Sequence, residues 1–134
     1  MLRKVSLSVM VFTYLFAGIA HFTRFEYYRK IIPAFLPYPD LFVQVSGSLF
    51  IALAVLLAIS LTRKGACYGI LLIWSMALPV NVYVLLQGGA GIPLPYWQLA
   101  AMIPFHLALM AWAWWHLRQD VGVGGRRSTV GRNG

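Results

Sequence analysis

The stretch "LFVQVSGSLFIALAVLLAISL", Leu41 to Leu61, decides the fold. It contains no Asp, Glu, Lys or Arg. A helix of this length, at about 1.5 Å per residue, reaches roughly the 30 Å of a bilayer's hydrocarbon core. Three further stretches share its character, Val5–Phe22, Cys67–Gln87 and Tyr96–His116, and none carries a charged side chain. The chain has 134 residues, 60% hydrophobic and only 10% charged, whereas soluble domains run at about 25% charged. The composition predicts an all-α integral membrane four-helix bundle. Its transmembrane domain covers residues 1–117, with spans at about 5–22, 41–61, 67–87 and 96–116, and a flexible basic tail covers 118–134.

The net charge of +8 raises the possibility of nucleic acid, but the charges sit at span ends. Arg3 and Lys4 precede the first span, Arg63 and Lys64 separate the second from the third, and Arg118, Arg126, Arg127 and Arg132 follow the fourth. With four spans these regions share one side, and the opposite side carries Arg24, Arg29 and Lys30. The positive-inside rule then puts both termini in the cytoplasm. A nucleic-acid site would need a folded basic surface, and this chain offers no polar domain to display one. The start "MLRK", with "GIA" ending at Ala20, resembles a signal peptide. The apolar run is long for such a segment, so it reads as a retained span. Cys67 is the only cysteine, which excludes an intrachain disulfide and dithiol redox chemistry.

The longest connection is "TRFEYYRKIIPAFLPYPD", Thr23 to Asp40. Its mixture of aromatic and charged residues suits the membrane–water interface. A short interfacial helix is expected over Thr23–Ile32, stopped by Pro33, Pro37 and Pro39. The tight loop Thr62–Lys64 implies an antiparallel hairpin, and "GGAGIPLP", Gly88 to Pro95, reads as a flexible outer turn. Small residues four apart (Ser48 and Ala52, Ala54 and Ala58, Gly65 and Gly69) allow close helix approach within the bundle or with a partner.

Few hydrogen-bonding side chains lie inside the spans. His21 ends the first, Gln44 lies about one turn into the second, and Asn81 lies roughly 21 Å along the third. His106 comes near the middle of the fourth. Unpaired polar groups in hydrocarbon cost several kcal/mol, so these side chains are expected to turn inward and meet in the outer half. Pro79 removes the donor for the Ser75 carbonyl and bends the third span beside Asn81, with Tyr83 following. The cluster reads equally as a helix staple and as a ligand pocket. Haem is unlikely as a cofactor, because His21 and His106 differ in depth by about 9 Å. No paired spacing marks a metal site, and no catalytic residue stands out. His116, beside Trp114 and Trp115, reads as an interfacial anchor.

The ordered pieces "AGIAHF", "RKIIPAFLPYP", "VSGS", "LPVNVY" and "IPFHLALMAWAWW" resemble the DoxX family of bacterial membrane proteins, over roughly Leu15 to Trp115. The resemblance implies a multi-pass protein of the bacterial cytoplasmic (inner) membrane. Its namesake is a small subunit of a thiosulfate:quinone oxidoreductase. Two departures stand out: Phe50 takes the place of that family's glutamate, and Met102 and His106 replace the arginine and glutamine of R-x-P-x-Q. The expected function is therefore an accessory subunit with an outer-leaflet pocket for a quinone or another apolar ligand. His21, Gln44, Asn81, Tyr83 and His106 would contact the ligand, with Arg24, Glu26, Arg29 and Asp40 as polar loop residues. The alternatives are a quinone-linked oxidoreductase subunit, whose partner brings the redox centre, and a membrane scaffold or assembly factor. The expected partners are the lipid bilayer and a protein partner or a second copy, with no nucleic acid.

Overall fold

A computed structural model describes residues 1–89 and 91–127, with side chains described for 1–89 and 91–119. All regular structure among the described residues is helical: α1 (Leu2–Thr23), α2 (Phe25–Lys30), α3 (Pro39–Ala58), α4 (Arg63–Leu86) and α5 (Tyr96–Arg127). Three of them, α1, α3 and α4, are long and apolar enough to cross a membrane. The fourth expected span lies in α5, which does not join them by that measure. Gln98, Pro104, His106, His116 and its tryptophans dilute its apolar character. Large apolar side chains such as Phe12, Phe16, Leu72 and Met76 are exposed around the molecule. Such a surface would aggregate in water. This is a membrane protein whose apolar helices face lipid.

Each helix buries one stripe. On α1 the buried positions are Met10, Tyr14, Gly18 and His21. On α3 they include Val43, Gly47, Phe50, Ala54 and Leu57. Both series advance by three or four residues, the period of a helical face. The two stripes meet antiparallel, and the contact is closest at Gly18 and Gly47. A Cβ on Gly18 would lie 2.8 Å from the Gly47 carbonyl oxygen, and one on Gly47 would lie 2.8 Å from the Cβ of His21. Of the expected small-residue pairs, Ala54 is buried and a Cβ on Gly69 would lie 3.0 Å from Leu53 Cδ2, whereas Gly65 has nothing within 4 Å of a built Cβ and Ser48, Ala52 and Ala58 are exposed. A second antiparallel pair forms between α4 and α5, and α3 joins the two pairs along α4.

The turns explain themselves chemically. A helix leaves its last four carbonyls without amide partners. At the end of α3, Thr62 Oγ1 donates to Leu56 O at 2.9 Å and Arg63 Nε donates to Leu57 O at 3.1 Å. The tight turn thereby caps the helix it leaves. At the other end of α3, Tyr38 lies between two prolines and takes a left-handed conformation, φ 56° and ψ 59°. A residue before proline is disfavoured in the right-handed helical region, and Pro39 then supplies a preset first helical position. The short helix expected over Thr23–Ile32 forms as α2, over Phe25–Lys30. α5 continues to Arg127, through residues that the sequence reading assigned to the tail. The rest of that tail, including Arg132, lies outside the described residues.

Candidate functional site

The interior polar and aromatic side chains form a continuous run across the helices near the α2 end. Tyr28 of α2 stacks on His21 of α1, with ring centroids 3.9 Å apart. His21 meets Phe50 of α3 edge-on at 5.3 Å. Phe50 stacks on Trp74 of α4 at 5.7 Å, and Trp74 stacks on His106 of α5 at 4.3 Å. Asn81 closes the run, its Nδ2 2.9 Å from His106 Nδ1. Trp74 Nε1 donates to Tyr14 OH at 2.8 Å, tying α4 to α1.

The expected cluster is thus only partly assembled. Asn81 and His106 do meet, and they bond each other. His21 stands apart from them, with Phe50 and Trp74 between. Gln44 is exposed and turns away from the interior, into a shallow groove lined by α3 residues alone: Leu41, Gln44, Val45, Ser48, Leu49 and Ala52. The helical phase explains this. The stripe through Val43, Gly47 and Phe50 faces α1, which carries Gln44 and Ser48 round to the outside. Tyr83 is also exposed and meets Phe35 edge-on at 5.1 Å. It lines an open groove of about 580 Å³ beside Pro79, together with Ser75, Leu78 and Met110.

A partly open cavity at this end lies between α1, α2, α3 and the loop of residues 31–38. It measures about 180 Å³ and is lined by His21, Tyr28, Ile31, Ile32, Pro33, Leu36, Phe42, Val43 and Ser46. His21 reaches it with a defined tautomer. Its Nδ1 lies 2.7 Å from the Ala17 carbonyl, which can only accept. Nδ1 therefore carries the proton, and in the neutral ring Nε2 presents a lone pair. No other bond to His21 forms among the described residues, and Nε2 is not one of the buried unpartnered atoms. It is accessible from the cavity side. Tyr28 is half-buried beside it. Burial pushes its phenol above the ordinary 10.0, with neighbouring Tyr27 adding and Arg24 opposing.

The outer loop holds its shape by ion pairing. Arg29 Nε lies 2.7 Å from Asp40 Oδ1, and its Nη1 lies 3.9 Å from Glu26 Oε2. These pairs are solvent-exposed, so each is worth at most about 1 kcal/mol. Their placement matters more: Arg29 joins α2 to the start of α3, and with Glu26 and Lys30 it lines an adjoining cavity of about 330 Å³. Arg24 is exposed at the α1–α2 break.

A second polar group at the opposite end escaped the sequence reading. His116, read as an interfacial anchor, is fully buried. Its Nε2 is hydrogen-bonded to Ser6 Oγ at 3.1 Å, and Trp112 Nε1 donates to the same oxygen at 2.8 Å. One serine thereby fastens α5 to α1. Among the described residues no group of three or more His, Cys, Asp or Glu side chains is placed to hold a metal.

The sequence model of a family described as Domain of unknown function (DUF8561) matches residues 10–117. No curated protein and no solved structure matches the chain. The matched stretch contains the whole ring stack and the whole cavity lining. It also corrects the resemblance to DoxX proteins, since the family found is a different one. Phe50, Met102 and His106 consequently stand in for no lost glutamate, arginine or glutamine. Phe50 and His106 are members of the ring stack in their own right.

Proposed function

The chain belongs to the domain-of-unknown-function family DUF8561, and from that premise we propose a four-span membrane protein that binds a small apolar molecule in the cavity between α1, α2 and α3. α1, α3, α4 and α5 cross the bilayer, and the basic residues at the α3–α4 turn and both termini lie on the cytoplasmic side. The preference of Lys and Arg for that side supports the orientation. The cavity then opens towards the outer leaflet, and α2 lies in the interface with its aromatic residues at headgroup level.

One observation carries this reading: an apolar cavity of about 180 Å³ in which His21 presents an unpartnered ring nitrogen. Ligand sites are mostly apolar with a few placed polar groups, and the His21 cavity has that character. Asn81 and His106, expected as ligand contacts, satisfy each other and serve as a staple. The quinone and the quinone-linked oxidoreductase rested on the resemblance to DoxX proteins and go with it.

Purification in mild detergent followed by native mass spectrometry of bound small molecules tests the proposal. Leu36→Trp fills the cavity from the loop without touching the helix contacts, and it should strip the bound molecule. An unchanged small-molecule complement in that variant would sink the reading. Maleimide labelling of single cysteines at Leu61 and Ile92, in a Cys67→Ala background, checks the orientation; labelling of both from the same side would overturn four spans.

A further inference from the structure

We propose that the His21 cavity selects a neutral single-ring compound bearing a hydroxyl donor, such as a phenol, over a compound that offers only an acceptor. This rests on the ligand-pocket reading above and adds the chemistry of the occupant. The volume sets the size. A cavity of about 150 Å³ accommodates benzene, and this one, at about 180 Å³ and open on one side, has room for one six-membered ring. Phe42, Ile31, Ile32 and Val43 supply apolar surface to pack it, since Tyr28 and His21 are stacked on each other.

The polarity follows from where the protein's own hydrogens are committed. His21 Nδ1–H is held by the Ala17 carbonyl, so Nε2 can only accept. Ser46 Oγ donates to Phe42 O at 2.6 Å, with Val43 O at 3.2 Å, so it too offers lone pairs to the cavity. Two lining groups on two helices are thus acceptors, and neither can become a donor without breaking a bond to its own helix. Tyr28 is the lining side chain that keeps a proton to give. A ligand hydroxyl takes that proton and gives its own to His21. A carbonyl or ether can use Tyr28 alone; once bound it covers His21 Nε2, which is open to water in the free protein, and leaves it unpaired at a cost of about 1–3 kcal/mol. A cationic donor would meet Arg24, Arg29 and Lys30 around the rim, with only Glu26 and Asp40 against them. Neutral donors are favoured.

Fluorine NMR on the purified full-length chain in detergent tests this, with empty micelles correcting for partitioning. The probes are 4-fluorophenol, 4-fluoroanisole, whose methyl group removes the donor and keeps the oxygen, and fluorobenzene. 4-Fluorophenol should bind about three- to tenfold more tightly than either, the value of one net hydrogen bond. His21→Leu should erase the preference over 4-fluoroanisole, Tyr28→Phe should keep that preference, and Leu36→Trp should abolish saturable binding of all three. If all three bind equally and Leu36→Trp removes them, the cavity stands and the donor selection is wrong. If none binds saturably, both readings fall. Should His21→Leu disturb folding, His21→Phe supplies the second measure. It keeps a ring in place and removes the acceptor, so it should likewise erase the preference over 4-fluoroanisole, and an undiminished preference there counts against the proposal.

Discussion

Gly18→Ala is the sharpest test of how α1 and α3 are joined, because two effects of opposite sign compete at that position. Alanine is the better helix former by about 0.8–1.0 kcal/mol, so on propensity alone the variant should be more stable. Packing opposes it. The new Cβ would sit 2.6 Å from Ile51 Cγ1, 2.8 Å from the Gly47 carbonyl oxygen and 2.9 Å from the Ile51 amide nitrogen, whereas ordinary contact begins at 3.4 Å. The last two atoms are main chain and cannot rotate away, so the helices must part by about half an ångström or more. Overpacking of this kind costs about 1–3 kcal/mol; set against the propensity gain, a net loss of up to about 2 kcal/mol is expected. Gly65→Ala is the matched control, since nothing lies within 4 Å of its built Cβ, and it should be neutral or mildly stabilising. Unfolding by SDS in mixed micelles, followed by far-UV circular dichroism, reads both. Adding Ile51→Ala to Gly18→Ala should rescue only part of the loss, because the backbone contacts persist. If Gly18→Ala shifts the midpoint in the same direction as Gly65→Ala, the close approach of α1 and α3 is wrong.

Double-mutant cycles on Trp74→Phe with Tyr14→Phe, and on Asn81→Leu with His106→Leu, should each give a coupling of about 0.6 kcal/mol, the average for hydrogen bonds between membrane helices; zero coupling would dissolve that staple. Ser6→Ala strips the partner from both Trp112 Nε1 and His116 Nε2, and with two buried nitrogens left unpaired it should cost about 1–3 kcal/mol in the same unfolding assay. The Tyr28 phenol is raised by burial, so the folded state holds its proton longer than the unfolded chain does. Its contribution to stability is complete below the ordinary 10.0 and is lost as pH climbs through the higher folded value. Unfolding midpoints above pH 10 should therefore fall less steeply in Tyr28→Phe than in the parent, and identical slopes would contradict the burial of that phenol.

The coarse fold was legible because hydrocarbon leaves the backbone few choices. The apolar stretches at Val5–Phe22, Leu41–Leu61 and Cys67–Gln87 became α1, α3 and α4, with ends displaced by only a few residues. The displacements have local causes. Pro39 is a favourable first helical residue, so α3 starts before its apolar run. Thr62 and Arg63 cap α3 from outside it, so the helix stops at Ala58. α5 was harder. Its glycines at 122, 124 and 125 signal a chain that leaves the helix, yet regular structure persists to Arg127. Glycine lowers helix propensity without forbidding the conformation.

The residue types of the site were legible and their pairing was not, and the difference lies in helical phase. Depth along a span follows from counting residues, so His21, Asn81 and His106 could be placed at one end. Which way each side chain points depends on which stripe is buried, and in a lipid-facing helix every stripe is apolar. On α3 the deciding mark was Gly47, the position where a neighbouring backbone comes closest. Counting from it by three and four gives Val43, Phe50 and Ala54 as the inner face. Gln44 then cannot share that face, whatever its polarity. The same count on α1 from Gly18 gives Tyr14 and His21. Read this way, a glycine in each of two apolar runs is a stronger pointer to the site than the polar residues themselves. It fixes the phase of both helices, brings Tyr14 against Phe50, and leaves His21 at the margin of the contact, where α2 and the proline-rich loop enclose it. The phase leaves His21 an apolar wall and a single free nitrogen, and the cavity's chemistry follows from that.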